Sequence, residues 1–305
     1  MRIALIGQAA FAAKSLEVLQ QRGDQIVQVF APPDSPEGRA DPLKTKALEL
    51  GLPLSQPSSF RSDAAYEQFK SLSADLAVMA FVTLIVPERI LYLPQHDSIC
   101  FHPSLLPRHR GASAIAWTLI LGDSETGVTW FWPDKGIDTG PILIQRRVAI
   151  GPDETTGSLY FNTLFPLGIE TLRDALALIE AGRPPRIVQD QARATYEPIC
   201  RDEHARIDFG KSGLEVHNLV RGCDPQPGAY ALLNQQRLRL YEPRLEGEFA
   251  ASPGTIVSVD ADGAKIALRG ASVIVRRMRL EPGSKKVAPA ELAATGNLRP
   301  GTKLD

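Results

Sequence analysis

The opening residues restrict the fold more than any other part of the chain. Arg2–Gly7 (RIALIG) is a short apolar run that ends in glycine. A helical pattern follows directly, AAKSLEVLQQRG, with Gly23 placed to cap its end. Gln25–Ala31 (QIVQVFA) is a second apolar run. Runs apolar on both faces suit strands covered on both sides, and strand–helix–strand order suits right-handed parallel crossovers. The pattern continues through a Pro/Gly/Asp-rich loop over Ser35–Asp41, a helix over Leu43–Gly51 and a buried strand over Ala74–Ala80. The expected architecture is therefore α/β, a Rossmann-like, parallel, doubly wound sheet.

Further along, Ser98–Phe101 reads as a strand, Ser113–Leu121 as a helix, and Gly127–Pro133 and Ile142–Ile150 as strands. Thr155–Ala181 carries one long helical pattern closed by Gly182. The character then changes. Gln189–Pro198 is polar and non-periodic, which reads as a linker. After a helix over Leu214–Arg221 come short strands at Ala229–Leu233, Arg237–Pro243, Gly254–Asp260, Lys265–Leu268 and Ser272–Leu280. Short strands separated by turn residues suggest a small OB-like β-barrel. The expected division is residues 1–190, a linker over 191–204 and a C-terminal domain over 205–305, which suits a length of 305 residues.

A formal net charge of -1 argues against a dominant electrostatic grip on nucleic acid, though not against a local basic patch. The three cysteines, Cys100, Cys200 and Cys223, are far apart and form no CxxC. They suggest neither a disulfide framework nor a zinc site, and fit a reducing compartment. MRIALIGQAAF makes a poor signal peptide, and no apolar run is long enough for a membrane span. The expectation is a cytoplasmic protein with no membrane partner.

Two motifs carry chemistry. FHPSLLPRHRG (Phe101–Gly111) sets His102 at the end of an apolar run, followed by a basic turn. GIDTG (Gly136–Gly140) follows the next strand. Ligands in doubly wound sheets sit beyond the carboxyl ends of strands, so His102 and Asp138 are expected to reach one crevice. No GxSxG elbow is present, so the pair suits acid–base chemistry, with Asp138 orienting an imidazole that shuttles a proton. On spacing alone, other readings stay open. His102 could be a hydrogen-bonded loop histidine, Asp138 a turn residue between glycines, and Arg108 and Arg110 solvated.

HPSLLPRHRG followed by GIDTG resembles the core of the folate-dependent formyltransferases. RGASAIAWTLILGDSETGVTWFWPDKGIDTGPILIQ, MRIALIGQAAF and ADPLKTKALELGLP are similar to the hydrolase domain of 10-formyltetrahydrofolate dehydrogenase. RRMRLEPGSKK and LRPGTKL are similar to the C-terminal domain of bacterial methionyl-tRNA formyltransferases. The resemblance implies 10-formyltetrahydrofolate as formyl donor, no metal, and acyl transfer through a tetrahedral oxyanion. It implies His102 and Asp138 as the catalytic pair. It implies a folate cradle at Phe81, Leu84, Ile85, Val86, Ser104, Asp134, Gly136 and Ile137, with Arg110 and Gly111 near the substrate.

The chain departs from the resemblance at Cys100. The family has an asparagine two residues before the histidine, whose amide would donate to the developing oxyanion. A thiol is a weak donor, and losing one such donor typically costs on the order of a hundredfold in rate. The dehydrogenase's hydrolase domain also lacks the asparagine, so Cys100 places this chain nearer that domain. Cys100 stands as a catalytic candidate or as a small buried residue.

The expected acceptor is water or a small amine, ahead of initiator tRNA. In the Ser35–Asp41 loop, Arg39 is offset by Glu37 and Asp41, where methionyl-tRNA formyltransferases usually carry basic residues. Against this, Arg276, Arg277, Arg279, Lys285 and Lys286 form a local basic stretch. Strand alternation would set Arg277 and Arg279 on one face and Arg276 opposite. The same charges would also protect a barrel edge. A non-catalytic folate-binding protein is the remaining alternative, to which the intact His102 and Asp138 are unfavourable.

Overall fold

A computed structural model describes residues 1–34, 38, 40–247, 249–283, 285–296 and 298–305. Glu37 and Arg39, whose charges bear on the choice of acceptor, lie outside the described residues. The chain forms two compact units. One comprises residues 1–112, 127–148 and 163–196, the other residues 113–126, 149–162 and 197–305.

The elements run in chain order β1 (Arg2–Gly7), α1 (Ala9–Gln21), β2 (Gln25–Phe30), α2 (Pro42–Glu49), β3 (Leu54–Ser55), α3 (Asp63–Ser71), β4 (Leu76–Ala80), α4 (Glu88–Leu91), β5 (Ser98–His102), α5 (Ala114–Ile120), β6 (Glu125–Phe131), β7 (Ile142–Ala149), α6 (Thr156–Leu159) and α7 (Phe165–Glu180). The first unit is built on a seven-stranded sheet in the order β3-β2-β1-β4-β5-β6-β7. Its strands are parallel from β3 through β5. At β6 the expectation of a parallel sheet fails, because β6 pairs antiparallel with β5, His102 opposite Thr129 and Cys100 opposite Phe131.

The continuous apolar character of β1 and β4 has the expected cause. On one face, Ala4, Ile6, Ala77 and Met79 pack with Phe69 of α3 and Ile90 and Leu91 of α4. On the other, Phe11 of α1 stacks on Phe101 at 4.1 Å and meets Phe165 of α7 edge-on at 5.4 Å. Trp130 is fully buried and its indole N–H donates to the Gly168 carbonyl at 3.0 Å. A Cβ at Gly168 would press on the Phe101 ring. Because successive strand residues alternate faces, Cys100 packs toward the α3/α4 side and Phe101 toward the α1/α7 side.

Two departures follow from local chemistry. The pattern over Thr155–Ala181 is not one helix. A π-turn over Tyr160–Leu164 separates α6 from α7, and Pro166 stands just after it. Proline has no N–H to give to the preceding turn, and its ring crowds the carbonyl there, so the ladder widens. Helix α3 was not expected, although Ser62 caps it by accepting from Ala65 N–H at 3.2 Å and Asp63 opens its first turn.

In the second unit, α8 (Gly213–Gly222) begins in a Ser212–Glu215 capping box. Then follow β8 (Tyr230–Leu233), β9 (Gln236–Glu246), β10 (Ile256–Asp260), β11 (Gly263–Leu268), β12 (Ala271–Leu280) and α9 (Pro289–Ala294). The five strands are antiparallel, in the order β10-β11-β12-β9-β8. The C-terminal residues join the two edges. Asp305 exchanges both backbone hydrogen bonds with Leu232, while Leu304 N–H donates to the Gly254 carbonyl and Ile256 N–H to that of Thr302. This is the closure an OB-like barrel needs. The hairpin between β8 and β9 turns through Asn234 and Gln235, both at positive φ, the two-residue geometry whose twist matches its strands.

The arginine alternation expected on β12 holds only in part: Arg277 and Arg279 flank core-facing Met278 and share a face, but Arg276, expected opposite, is exposed beside Arg277. Val273 and Val275 face the core, but so does Met278, and Arg276 and Arg277 are both exposed. On β9 the core residues likewise shift from Leu238 and Leu240 to Leu245, across Glu242 at φ 53. A left-handed residue breaks the two-residue repeat, so the face changes midway along the paired strands. Cys200 and Cys223, distant in sequence, meet as free thiols with sulfurs 3.9 Å apart.

Candidate active site

His102 closes β5 and is 6% exposed. Its Nε2 lies 2.7 Å from the backbone carbonyl of His109. A carbonyl can only accept, so Nε2 carries the hydrogen, and a proton gained by the ring must settle on Nδ1. That atom points to Asp138 Oδ2 at 3.6 Å. The gap is longer than a direct hydrogen bond, and an imidazolium formed there would face the carboxylate as an ion pair. Asp138 is held in turn by Gly111 N–H, which donates to Oδ2 at 2.8 Å. Asp138 has φ 57, a left-handed conformation that aspartate tolerates better than most residues.

The pair meets by a route different from the expected one. Since β6 is antiparallel to β5, its carboxyl end is not next to that of β5. The loop after Trp132 must fold back to bring Asp138 to His102. Asp134 shapes it by accepting from Gly136 N–H at 2.9 Å and Thr139 Oγ1 at 2.5 Å. Glycine is required at both ends: a Cβ on Gly136 would strike Thr139, and one on Gly140 the Trp132 carbonyl. Gly140 is thus explained by the close approach of backbone to backbone, and Gly136 by the Thr139 side chain packed against it.

Other candidates divide by placement. Phe81, at φ 59, directly follows β4, whose Met79 pairs with Cys100, so Phe81 stands level with His102. Phe81, Ile85 and Ile137 are 39%, 55% and 48% exposed. Leu84 lines a cleft with Gly7, Phe30, Phe60 and Thr83 at the strand ends. Val86, by contrast, is buried in the core, and Ser104 is fully buried with its hydroxyl on the Arg108 carbonyl. These two support the loops and present no face to a ligand. Arg110 is also buried, its guanidinium taken up by Gln189 and Gln191.

Cys100 shares a face with His102, but burial pushes its thiol far above the ordinary range, and the nearby Asp138 charge adds to this. A thiol held protonated is a poor nucleophile, which leaves space-filling or weak donation as its part. Among the described residues no group of three or more His, Cys, Asp or Glu could hold a metal, and no helix is long and apolar enough to cross a membrane.

The first βα turn, where dinucleotide-binding folds receive a pyrophosphate, is filled by the protein itself. The Asp41 carboxylate accepts from Ala9 N–H at 2.9 Å and from Leu43 N–H at 2.8 Å, capping α1 and α2 together. Residues that sequence reasoning missed are Gln189 and Thr195, in the stretch that reads as linker. Thr195 Oγ1 accepts from His109 N–H at 2.8 Å, and its carbonyl accepts from Arg110 N–H at 3.1 Å. No periodicity marks them; only their hydrogen bonds to the motif loops do.

Residues 1–168 match the formyl transferase family, and residues 200–297 match the formyl transferase C-terminal domain. The chain is 37% identical over 309 residues to a methionyl-tRNA formyltransferase of Geobacter sulfurreducens, covering 100% of this chain and 96% of that protein. It is 38% identical over 314 residues to the mitochondrial 10-formyltetrahydrofolate dehydrogenase of Homo sapiens, covering 97% of this chain but only 33% of the dehydrogenase. Among solved structures, HypX from Aquifex aeolicus in complex with tetrahydrofolic acid aligns over 96% of this chain and 46% of its own (TM-score 0.71, 20% identity). The sugar 3N-formyl transferase WlaRD aligns over 93% of this chain and 99% of its own (TM-score 0.70, 19% identity). At such identities the structural likenesses speak to the fold alone.

Proposed function

Because the chain belongs to the formyl transferase family, we propose that it takes the formyl group of 10-formyltetrahydrofolate, with His102 moving the proton and Asp138 supplying the opposing charge. The observation that carries this reading is the committed His102 ring: Nε2 is tied to the His109 carbonyl, and Nδ1 faces Asp138 Oδ2. An amine attacks the formyl carbon and gives its proton to Nδ1. The carbonyl electrons move to oxygen, then return as the carbon–nitrogen bond to folate breaks. The departing folate nitrogen takes the proton from Nδ1, leaving a formylated amine, tetrahydrofolate and neutral His102. Each proton transfer of this kind contributes roughly a hundredfold to ten-thousandfold.

For the acceptor, the full-length correspondence with methionyl-tRNA formyltransferase, across both matched regions, favours methionyl-tRNA. This reverses the order expected from the near-neutral charge, the Ser35–Asp41 loop and Cys100. The exposed Arg276 and Arg277 on β12 are compatible with it, since phosphate contacts need local rather than net charge. Water is the second reading, favoured by the dehydrogenase relatives, whose hydrolase domain this chain resembles in lacking an asparagine at Cys100. The proposed division remains a catalytic part over residues 1–190, a joining segment over 191–204 and a C-terminal part over 205–305.

The deciding experiment follows tetrahydrofolate release from 10-formyltetrahydrofolate, first alone and then with charged initiator tRNA. Release dependent on tRNA supports the first reading. Steady release without acceptor supports hydrolysis. Bound folate with no release in either case removes both.

Restoring a stronger donor beside His102 gives a gain-of-function prediction. Cys100→Asn is expected to raise turnover by about tenfold to a hundredfold, with the KM for folate little changed. An unchanged or lower rate in steady-state assays would mean that the oxyanion takes its donors elsewhere.

A further inference from the structure

The GIDTG and HPSLLPRHRG loops are tied together by a residue that neither contains. Gln189 is 3% exposed, and its amide is used at both ends. Its Oε1 accepts from Arg110 Nη2 at 2.7 Å and Nε at 3.2 Å. Its Nε2 donates to the Asp138 carbonyl at 2.9 Å and to the Gly140 carbonyl at 2.7 Å. The orientation of the amide admits no alternative. Arg110 can only donate, so oxygen must face it, and the two carbonyls can only accept, so the NH2 group must face them.

The consequences reach the reacting groups by short covalent paths. Gly111, next to Arg110, donates its N–H to Asp138 Oδ2. His109, on the other side of Arg110, gives its carbonyl to His102 Nε2. Moving Arg110 relative to Asp138 would therefore disturb both hydrogen bonds that orient the pair. A buried amide with both ends fully bonded resists such movement, since breaking any one of its hydrogen bonds leaves a buried polar group without a partner.

We infer that Gln189 is a positioning residue for formyl transfer, a clasp that sets Asp138 against His102 by holding Arg110 and the Asp138–Gly140 backbone at a fixed separation. The inference rests on the proposed roles of His102 and Asp138. It also assigns Arg110 to the clasp, in place of the substrate contact expected from sequence.

Gln189→Glu tests it with almost no change in volume. The carboxylate can still accept from Arg110, but it sets an oxygen against the two carbonyls where the NH2 group stood. The expected result is a fall in kcat of about tenfold to a hundredfold, with the KM for folate within about twofold. In an Asp138→Ala background the same change is expected to cost nothing further in kcat, because it acts through Asp138. Hydrogen exchange at the Gly111 amide should quicken in the single variant, while exchange at Leu5 in the sheet stays slow. An unchanged kcat, an equal loss in the Asp138→Ala background or an unaltered Gly111 amide would each overturn the clasp. Should the glutamate variant not fold, Gln189→Met, of similar volume, carries the same measurements. The Gly111 readout needs no substrate. If the wild-type chain transfers no formyl group, the functional reading fails while the clasp is still decided.

Discussion

His102→Ala is expected to lower formyl transfer by about a thousandfold, with folate affinity retained. Cys100, on the same face, keeps its proton. His109 presents its backbone carbonyl to this site, and its own N–H is held by Thr195. The alanine also leaves the His109 carbonyl without its donor, which costs about 1–3 kcal/mol if water does not reach it. A modest drop in melting temperature should therefore accompany the catalytic loss. Single-turnover release of tetrahydrofolate, alongside a folate binding titration, separates the two effects. A residual rate within about tenfold of wild type would show that His102 does not handle the proton. Loss of folate affinity in parallel would point to a binding role instead.

The second large effect is expected at Asp138. Asp138→Asn removes the charge and little else. Asparagine tolerates the left-handed φ of 57, and its side-chain oxygen can still accept from Gly111 N–H. What it cannot do is stabilise an imidazolium at Nδ1. The rate is expected to fall by about a hundredfold or more, while the melting temperature barely moves. Asp138→Ala should be equally slow and also less stable, by about 1–2 kcal/mol, since alanine does not favour that backbone region. Near-normal turnover in the asparagine variant would make Asp138 a turn residue between two glycines. Measuring kcat and melting temperature on both variants distinguishes these outcomes.

Much of this was legible in the chain, for reasons that can be traced residue by residue. RIALIG and ADLAVMA read as buried strands because an apolar run with no polar face can only lie in the middle of a covered sheet, and β1 and β4 do so. The barrel strands were legible from their turn residues and spacing. Element ends were less so. Helix α3 escapes a reading by apolar runs, despite a serine cap and an acidic first turn, both visible in SDAAYEQF. The break before α7 is marked in the sequence only by Pro166.

The candidate site divides along the same line. The two motifs, their order and the glycines around Asp138 are properties of the sequence, because tight backbone turns admit few residue types. By contrast, the course of the loop that carries Asp138 back to His102 depends on β6 running antiparallel, which no local pattern records. The buried state of Arg110 depends on Gln189, which lies in a stretch that reads as linker because it is polar and non-periodic.

Local chemistry in the sequence thus determined which segments become strands and helices, where the turns fall and which residue types could move a proton. Tertiary structure alone decided that Nε2 of His102 is committed to a carbonyl, that Cys100 keeps its proton and that Gln189 grips both loops. Those outcomes rest on contacts between residues far apart in the chain, and on burial that makes an unpaired polar group costly. Neither quantity is encoded in any short stretch of sequence.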